Sequence, residues 1–161
     1  MTKAAERARE NARAGDVLKL DNQLCFAVYA AAHAFSATYK PLLEPLGLTY
    51  PQYLAMLVLW QEDGVTVSAI GARLGLDSGT LTPLLKRLEA AGLVSRLRDA
   101  ADERQVRVTL TAAGRALKQK AKVIPQALLC ASGMSLGELV ALRGKLESLA
   151  ANLRSAAAES D

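Results

Sequence analysis

Aromatic residues are scarce in this 161-residue chain, which holds two Phe, four Tyr and one Trp. Ala and Leu are abundant instead. That balance argues against a β-sandwich, whose faces draw on aromatic and β-branched side chains, and for helices packed through aliphatic ones. Long hydrophobic runs are also missing. The longest uncharged apolar stretch, Cys25 to Ala32, falls far short of the roughly 20 residues a bilayer needs. Met1 to Gly15 alternates charges of both signs and lacks the apolar core of a signal peptide. A cytoplasmic protein with no membrane partner is expected. Histidine occurs once and cysteine twice. Cys25 and Cys130 lie 105 positions apart, outside any metal-ligand spacing, so no metal and no cofactor are expected. Reduced thiols are the default in that compartment, and the cysteines would matter through reactivity.

The length suits one domain, with or without dimerisation arms. Apolar residues at 51% and charged residues at 22% exclude a wholly disordered chain. The formal net charge is +4, and its distribution is more informative than its size. Between Arg73 and Lys122 stand eleven Lys/Arg and five Asp/Glu, a local charge of +6; the remainder carries −2. Concentrated positive charge is what a phosphate-facing surface requires, although solvated helix faces give the same tally.

Residues 1–16 form an Ala/Arg/Glu-rich arm with no core of its own. A helix is predicted from about Val17 to Tyr39, with Leu20, Leu24, Ala27, Val28, Ala31 and Phe35 on one stripe and Pro41 ending it. Thr49 caps a second helix that accepts Pro51 in its first turn, buries Leu54, Leu57, Val58 and Trp60, and closes at Glu62-Asp63-Gly64. Two short helices follow. One spans about Ser68 to Leu74, with Ile70, Ala72 and Leu74 apolar and Gly75 at its end; the other is capped by Asp77 and runs to about Ala91, with Leu81, Leu84, Leu85 and Leu88 inward and Gly92 beyond. The period then changes to two in Leu93–Arg98 and Val106–Leu110, joined by a charged loop from Asp99 to Gln105. Thr111 caps a helix bearing Arg115, Lys118, Lys120 and Lys122, which Pro125 should kink. Ser135 and Glu138 have capping-box spacing before a last helix through Leu139, Leu142, Leu146, Leu149 and Leu153. The expected fold is mainly α with a small β-hairpin wing: a winged helix-turn-helix over residues 49–110, flanked by helical dimerisation arms at 17–48 and 111–161.

A helix that enters a major groove needs short polar residues near its N-terminus and bases further along. Ser78, Gly79, Thr80, Thr82, Pro83, Lys86 and Arg87 have that distribution, with Gly79 allowing close approach to the backbone. Arg96, Arg98 and Arg104 belong to the hairpin. Arg104 at its tip is placed to enter a minor groove, and Asp102 to brace Arg104 or Arg98. Double-stranded DNA is the partner these residues predict.

Asp102-Glu103-Arg104, Val108-Thr109-Leu110-Thr111 and Gly114 resemble the wing signature of the MarR family of winged-helix regulators. Three longer stretches, Leu20–Ala27, Gly47–Leu54 and Leu76–Glu89, are similar to its organic-hydroperoxide-sensing OhrR branch. The resemblance covers about residues 18–153.

Cys25 lies on the first predicted helix with Tyr29 one turn away at i+4. Tyr39 returns to nearly the same face, but roughly 21 Å along the axis, so it reaches Cys25 only of a second copy; Tyr50 can join it there. A tyrosine hydroxyl donating to sulfur stabilises thiolate, the form that attacks peroxide oxygen. Two features oppose this: Cys25 is more than two turns into the predicted helix, beyond its dipole, and Asp21 stands at i−4. The residues alone leave open a buried packing cysteine or a sensor. The resemblance implies that Cys25 is the peroxide-reactive residue, that Tyr39 and Tyr50 reach it from the partner subunit, and that Cys130 forms a disulfide with Cys25 of the other subunit. His33, rotated about 80° from Cys25, reads as a half-exposed helix residue, and Trp60, Phe26 and Phe35 as core or pocket wall. The implied function is a homodimeric repressor that holds a palindromic operator when reduced and releases it when an organic hydroperoxide oxidises Cys25. The alternatives are a MarR-type regulator that responds to a non-covalent aromatic ligand, and a thiol peroxidase, which leaves the basic wing without a purpose.

Overall fold

Short polar residues open most of the helices, as the sequence predicts. A computed structural model describes residues 17–99, 102 and 104–159; the arm at 1–16, and Ala100, Ala101 and Glu103 of the hairpin loop, lie outside the described residues. The chain divides after Pro41 into two compact units.

In the first unit a 3-10 turn, Leu20–Asn22, ends at an extended Gln23 (φ −89°, ψ 123°). Helix α1, Leu24–Leu43, starts only there. The sequence reading began this helix at Val17, but Asp21 and Asn22 favour caps and turns over helix interiors and divert the backbone. Pro41 does not end the helix either; it lies within α1. So near the C-terminus its missing N–H forfeits a single bond, to the Ala37 carbonyl. The chain passes into a 3-10 turn, Glu44–Leu46, and stops at Gly47 (φ 65°).

The second unit starts at Leu42, and its first full α-helix is α2, Tyr50–Gln61, under a capping box between Thr49 and Gln52. Its buried residues are Tyr53, Ala55, Met56, Val58, Leu59 and Trp60. Leu54 and Leu57, expected inside, are only half-buried, because α2 turns its Tyr53–Met56–Leu59 face to the core. A two-residue strand, β1 (Val65–Thr66), then leads into α3, Val67–Leu74. Thr66 caps α3 and Gly75 (φ 65°) ends it; Ile70 is buried, but Ala72 is exposed and Leu74 half-buried. Helix α4, Ser78–Ala90, is capped by Asp77 and buries Leu81, Leu84, Leu85 and Leu88, the four residues its period predicts. Strands β2 (Val94–Arg98) and β3 (Val106–Leu110) make the hairpin, in register from Val94 opposite Leu110 to Arg98 opposite Val106. Val65 pairs with Val108, giving an antiparallel sheet in the order β1-β3-β2. The sequence reading has a two-stranded wing; two residues are too few to show a period, so β1 was hidden.

Thr111 caps α5, Ala112–Ala121. Pro125 does not kink one long helix but sits in the first turn of a new one, α6 (Ile124–Ser132), where its lack of an N–H costs nothing. Gly133 (φ 65°) ends α6, and α7, Leu136–Ala158, opens on the Ser135–Glu138 capping box. Among the described residues no single helix is long and apolar enough to cross a membrane.

Two glycines are required by close approach. A Cβ on Gly71 would lie 2.8 Å from the Leu76 carbonyl oxygen, so the turn between α3 and α4 folds back tightly. At Gly114 a Cβ would drive into the Leu93 carbonyl oxygen and press Leu110. Trp60 donates its indole N–H to the Gly114 carbonyl at 2.9 Å, which seals α5 against α2. Gly114→Ala is therefore expected to cost about 3 kcal/mol or more of stability, measured by chemical denaturation, and Gly71→Ala less. A Gly114→Ala protein that unfolds at the wild-type denaturant concentration would show that α5 does not need this contact.

Candidate nucleic-acid interface and thiol sites

Helix α4 carries its polar residues outward because its four leucines take the inner face. Ser78, Gly79, Thr80, Pro83, Lys86 and Arg87 are exposed and Thr82 is half-buried. Asp77 organises the first turn: one carboxylate oxygen accepts the Thr80 backbone N–H and the other the Thr80 hydroxyl, both at 2.9 Å. The proton of Thr80 is thus committed to the cap, and Ser78 and Thr82 are the freer hydroxyls. These Thr80 bonds hold the Asp77 carboxyl below the usual range.

The wing is braced from several sides. Asp102 accepts the backbone N–H and Nε of Arg104, each at 3.1 Å, and the amide of Gln105 at 3.2 Å. The Arg104 side chain is nonetheless 92% exposed, and so exposed a pair is cheap to exchange for another anion. Arg107 bonds Asp99 and donates to the Gly64 carbonyl at 2.8 Å, tying the hairpin to the turn after α2. Arg98 stays exposed. Arg96 does not face outward. Its backbone N–H and Nε donate to the two oxygens of Glu89 at 2.9 and 2.8 Å, and its side chain is 21% exposed. Arg96 therefore joins α4 to β2 while its side chain remains partly exposed.

Between α4 and the wing lies an open groove of about 300 Å³. Ser78 and Thr82 line one side, Arg104 and Gln105 the other, with Ser68 of α3 and Arg96 between them. Ser68 and Gln105 have no signal in the sequence; a serine in the first turn of a short helix and a glutamine in a loop carry no periodic mark. Nor was Asp63, read only as part of a turn. Its Oδ1 accepts the N–H groups of Gly64 and Leu110 at 2.9 and 2.7 Å, and its Oδ2 pairs with Arg115 at 2.5 Å. Lys118 donates to the Trp60 carbonyl at 2.7 Å. Several cations of the basic segment thus hold the lobe together, while Lys86 and Arg87 of α4 and Arg98 and Arg104 of the wing are exposed.

In the first unit, Cys25 is the second residue of α1 and is an exposed, free thiol. The late helix start brings it into the first turn, within reach of the helix's partial positive charge, and leaves Asp21 outside the helix. The objection that Cys25 lies more than two turns into its helix therefore lapses. The ring of Tyr29 lies 4.3 Å from that of His33, which is exposed. Tyr39 is buried and stacks on Phe35, with ring centres 6.3 Å apart. Tyr39 remains fourteen residues along α1 from Cys25, roughly 21 Å by helical rise. In the second unit, burial raises the phenol pKa of Tyr50. Cys130 lies near the end of α6, exposed and free, with the Gln126 amide nitrogen 4.0 Å from its sulfur.

A family model described as transcriptional regulator SarA/Rot matches residues 37–121. The chain is 55% identical over 146 residues to the HTH-type transcriptional regulator TtmR of Methylorubrum extorquens, covering 91% of this chain and 75% of that protein. It is 49% identical over 134 residues to the organic hydroperoxide resistance transcriptional regulator of Bacillus subtilis, covering 83% and 91%. Among solved structures it is similar to AbfR of Staphylococcus epidermidis. Reduced AbfR bound to DNA shares 40% identity at a TM-score of 0.67, over 83% of this chain and 94% of that one. Disulfide-formed AbfR shares 36% at 0.61, over 90% and 98%.

Asp77, Glu89, Asp102 and Glu138 all have carboxyl pKa values lowered by hydrogen bonds made in the fold, led by those from Thr80, Arg96, Arg104 and Ser135 respectively. Stability from such groups is complete above the ordinary carboxylate range, about pH 4, and is lost as pH falls through the depressed folded values. The melting temperature is expected to drop on that acid side. Asp77→Asn keeps a cap acceptor without a titrating proton, so its melting temperature should drop less steeply in the same series. An unchanged acid slope in that variant would remove Asp77 from the account.

Proposed function

The chain belongs to the MarR family of winged helix-turn-helix transcriptional regulators, and on that premise we propose that it is a homodimeric repressor whose operator affinity is switched by organic hydroperoxides at Cys25. The observation that carries the DNA reading is the groove in which the first turns of α4 face Arg104 of the wing. Helix α4 enters a major groove through Ser78, Gly79, Thr80, Thr82 and Pro83, with Lys86 and Arg87 on the phosphates. Arg104 enters the adjacent minor groove, with Arg98 beside it and Asp102 as its brace. Arg96 lines the same groove, held there by Glu89. AbfR, whose reduced form is described bound to DNA, supports the reading.

The dimer follows from unpartnered apolar surface. Helix α7 runs for 23 residues with none buried, and exposes Leu136, Val140, Leu142, Leu146 and Leu153. Helix α1 exposes Leu24, Val28, Tyr29 and Phe35. Helices gain most of their stability by packing an apolar face, and a second copy supplies that packing for residues 17–48 and 111–161, leaving 49–110 as the DNA-binding lobe. Two lobes related by a two-fold axis read a palindromic site.

The signal enters at Cys25. Its thiolate attacks the terminal oxygen of the hydroperoxide; the O–O bond breaks, the alcohol leaves, and sulfur is left as sulfenic acid. Tyr29 and the partner subunit's Tyr39 and Tyr50 donate hydroxyls to the sulfur. The thiol of Cys130 of the partner subunit then displaces water, forming an intersubunit disulfide. That bond moves the helices that carry the two wings, and the spacing of the α4 helices no longer matches successive major grooves. Support comes from the exposure of both free thiols, and from relatives named for organic hydroperoxide resistance and for a disulfide-formed state.

Reduced protein is expected to retard a duplex covering its own upstream region, and cumene hydroperoxide to release it. Cys25→Ser should bind that duplex as wild type does and ignore the peroxide. Cys130→Ser should lose the disulfide-linked dimer on a non-reducing gel. Release of Cys25→Ser by peroxide would sink the sensor assignment. Release by an aromatic anion without thiol oxidation would favour a ligand-binding regulator, and peroxide turnover without DNA binding a thiol peroxidase.

A further inference from the structure

Glu89 stands in the last turn of α4 and reaches across to β2. It accepts two hydrogen bonds from one residue, the backbone N–H of Arg96 at 2.9 Å and its Nε at 2.8 Å. A carboxylate held at both oxygens by one strand residue fixes orientation as well as distance. Arg96 lies opposite Val108, so the clasp is passed through the sheet to both strands of the wing. The other braces run elsewhere: Asp102 ties Arg104 within the loop, and Arg107 ties the hairpin to Gly64 on the α2 side. Among the described residues, the side-chain bonds from α4 to the wing pass through Glu89.

A helix in a major groove and a wing in the neighbouring minor groove straddle the sugar–phosphate strand between them. Their separation must match that strand, and the groove between Ser78 and Thr82 on one side and Arg104 and Gln105 on the other is that separation. We propose that Glu89 is a positioning residue for operator binding, which touches no DNA and, by clasping Arg96, sets the width of the groove across which Arg104 meets its site. The inference rests on the DNA-binding reading above.

A double-mutant cycle on the upstream duplex tests it. Arg104→Ala alone is expected to weaken binding about tenfold, and Glu89→Ala alone by a similar factor. In the Glu89→Ala background, Arg104→Ala should change affinity less than about twofold, because the wing has already lost its place. Full multiplication of the two losses would overturn the proposal, since Glu89 would then act on stability or on another contact. Should Glu89→Ala not fold, as read from its thermal melt, Glu89→Gln replaces it in the cycle; the side-chain amide keeps an acceptor for the Arg96 N–H but loses the charge, and the same non-additivity is expected. A wild-type protein that fails to shift the duplex overturns the DNA reading itself, whereas a wild-type shift with multiplying losses removes only the role of Glu89.

Discussion

The approach of α5 to the Leu93 carbonyl, possible because residue 114 has no side chain, is the constraint on which the lobe is built. Once α5 is this close, Trp60 reaches the Gly114 carbonyl and Lys118 reaches the Trp60 carbonyl, so α2 and α5 are joined in both directions. Thr111 caps α5 and also donates to the Gly92 carbonyl, fixing the turn that follows α4. Asp63 closes the remaining side by holding the end of β3 and Arg115 together. The position of α4 against the sheet, and with it the groove, depends on these few polar joins around a core of leucines.

The positive charge of the basic segment has two uses that the linear count cannot separate. Arg96, Arg107, Arg115 and Lys118 spend donors on Glu89, Asp99, Asp63 and the Trp60 carbonyl, joining separate elements. Lys86, Arg87, Arg98 and Arg104 remain at the surface toward α4 and the wing. The first group holds the second in place. A surface built in this way presents few cations, each at a defined position, which suits reading a site better than general attraction to phosphate.

Much of the lobe was legible because its signals are local. A Thr or Asp before a helical period, a Gly after one, and a change of period from 3.6 to 2 each reveal an element within a few residues, as Asp77, Gly75 and Val106–Leu110 illustrate. The candidate DNA-contacting face of α4 was legible for the same reason: four leucines at helical spacing leave the polar residues outside. Tertiary neighbours decided the rest. Strand β1 is two residues long and exists because β3 lies beside it, and Arg96 looks like its neighbour Arg98 until Glu89 is placed across from it. The start of α1 was misplaced because an apolar stripe continues through Leu20 while Asp21 and Asn22 turn the backbone, and that error changed the setting assigned to Cys25.

The sequence by itself determined the kind of fold, most of its elements and the face of α4 left free, since each follows from period, caps and residue type. Only the tertiary structure decided which cations join separate elements and which do not, that the sheet has three strands, and that Cys25 stands in the first turn of its helix. Those outcomes depend on hydrogen bonds between residues far apart in the chain, such as Asp63 with Leu110 or Trp60 with Gly114, and on where a backbone breaks, neither of which leaves a repeating mark in the sequence.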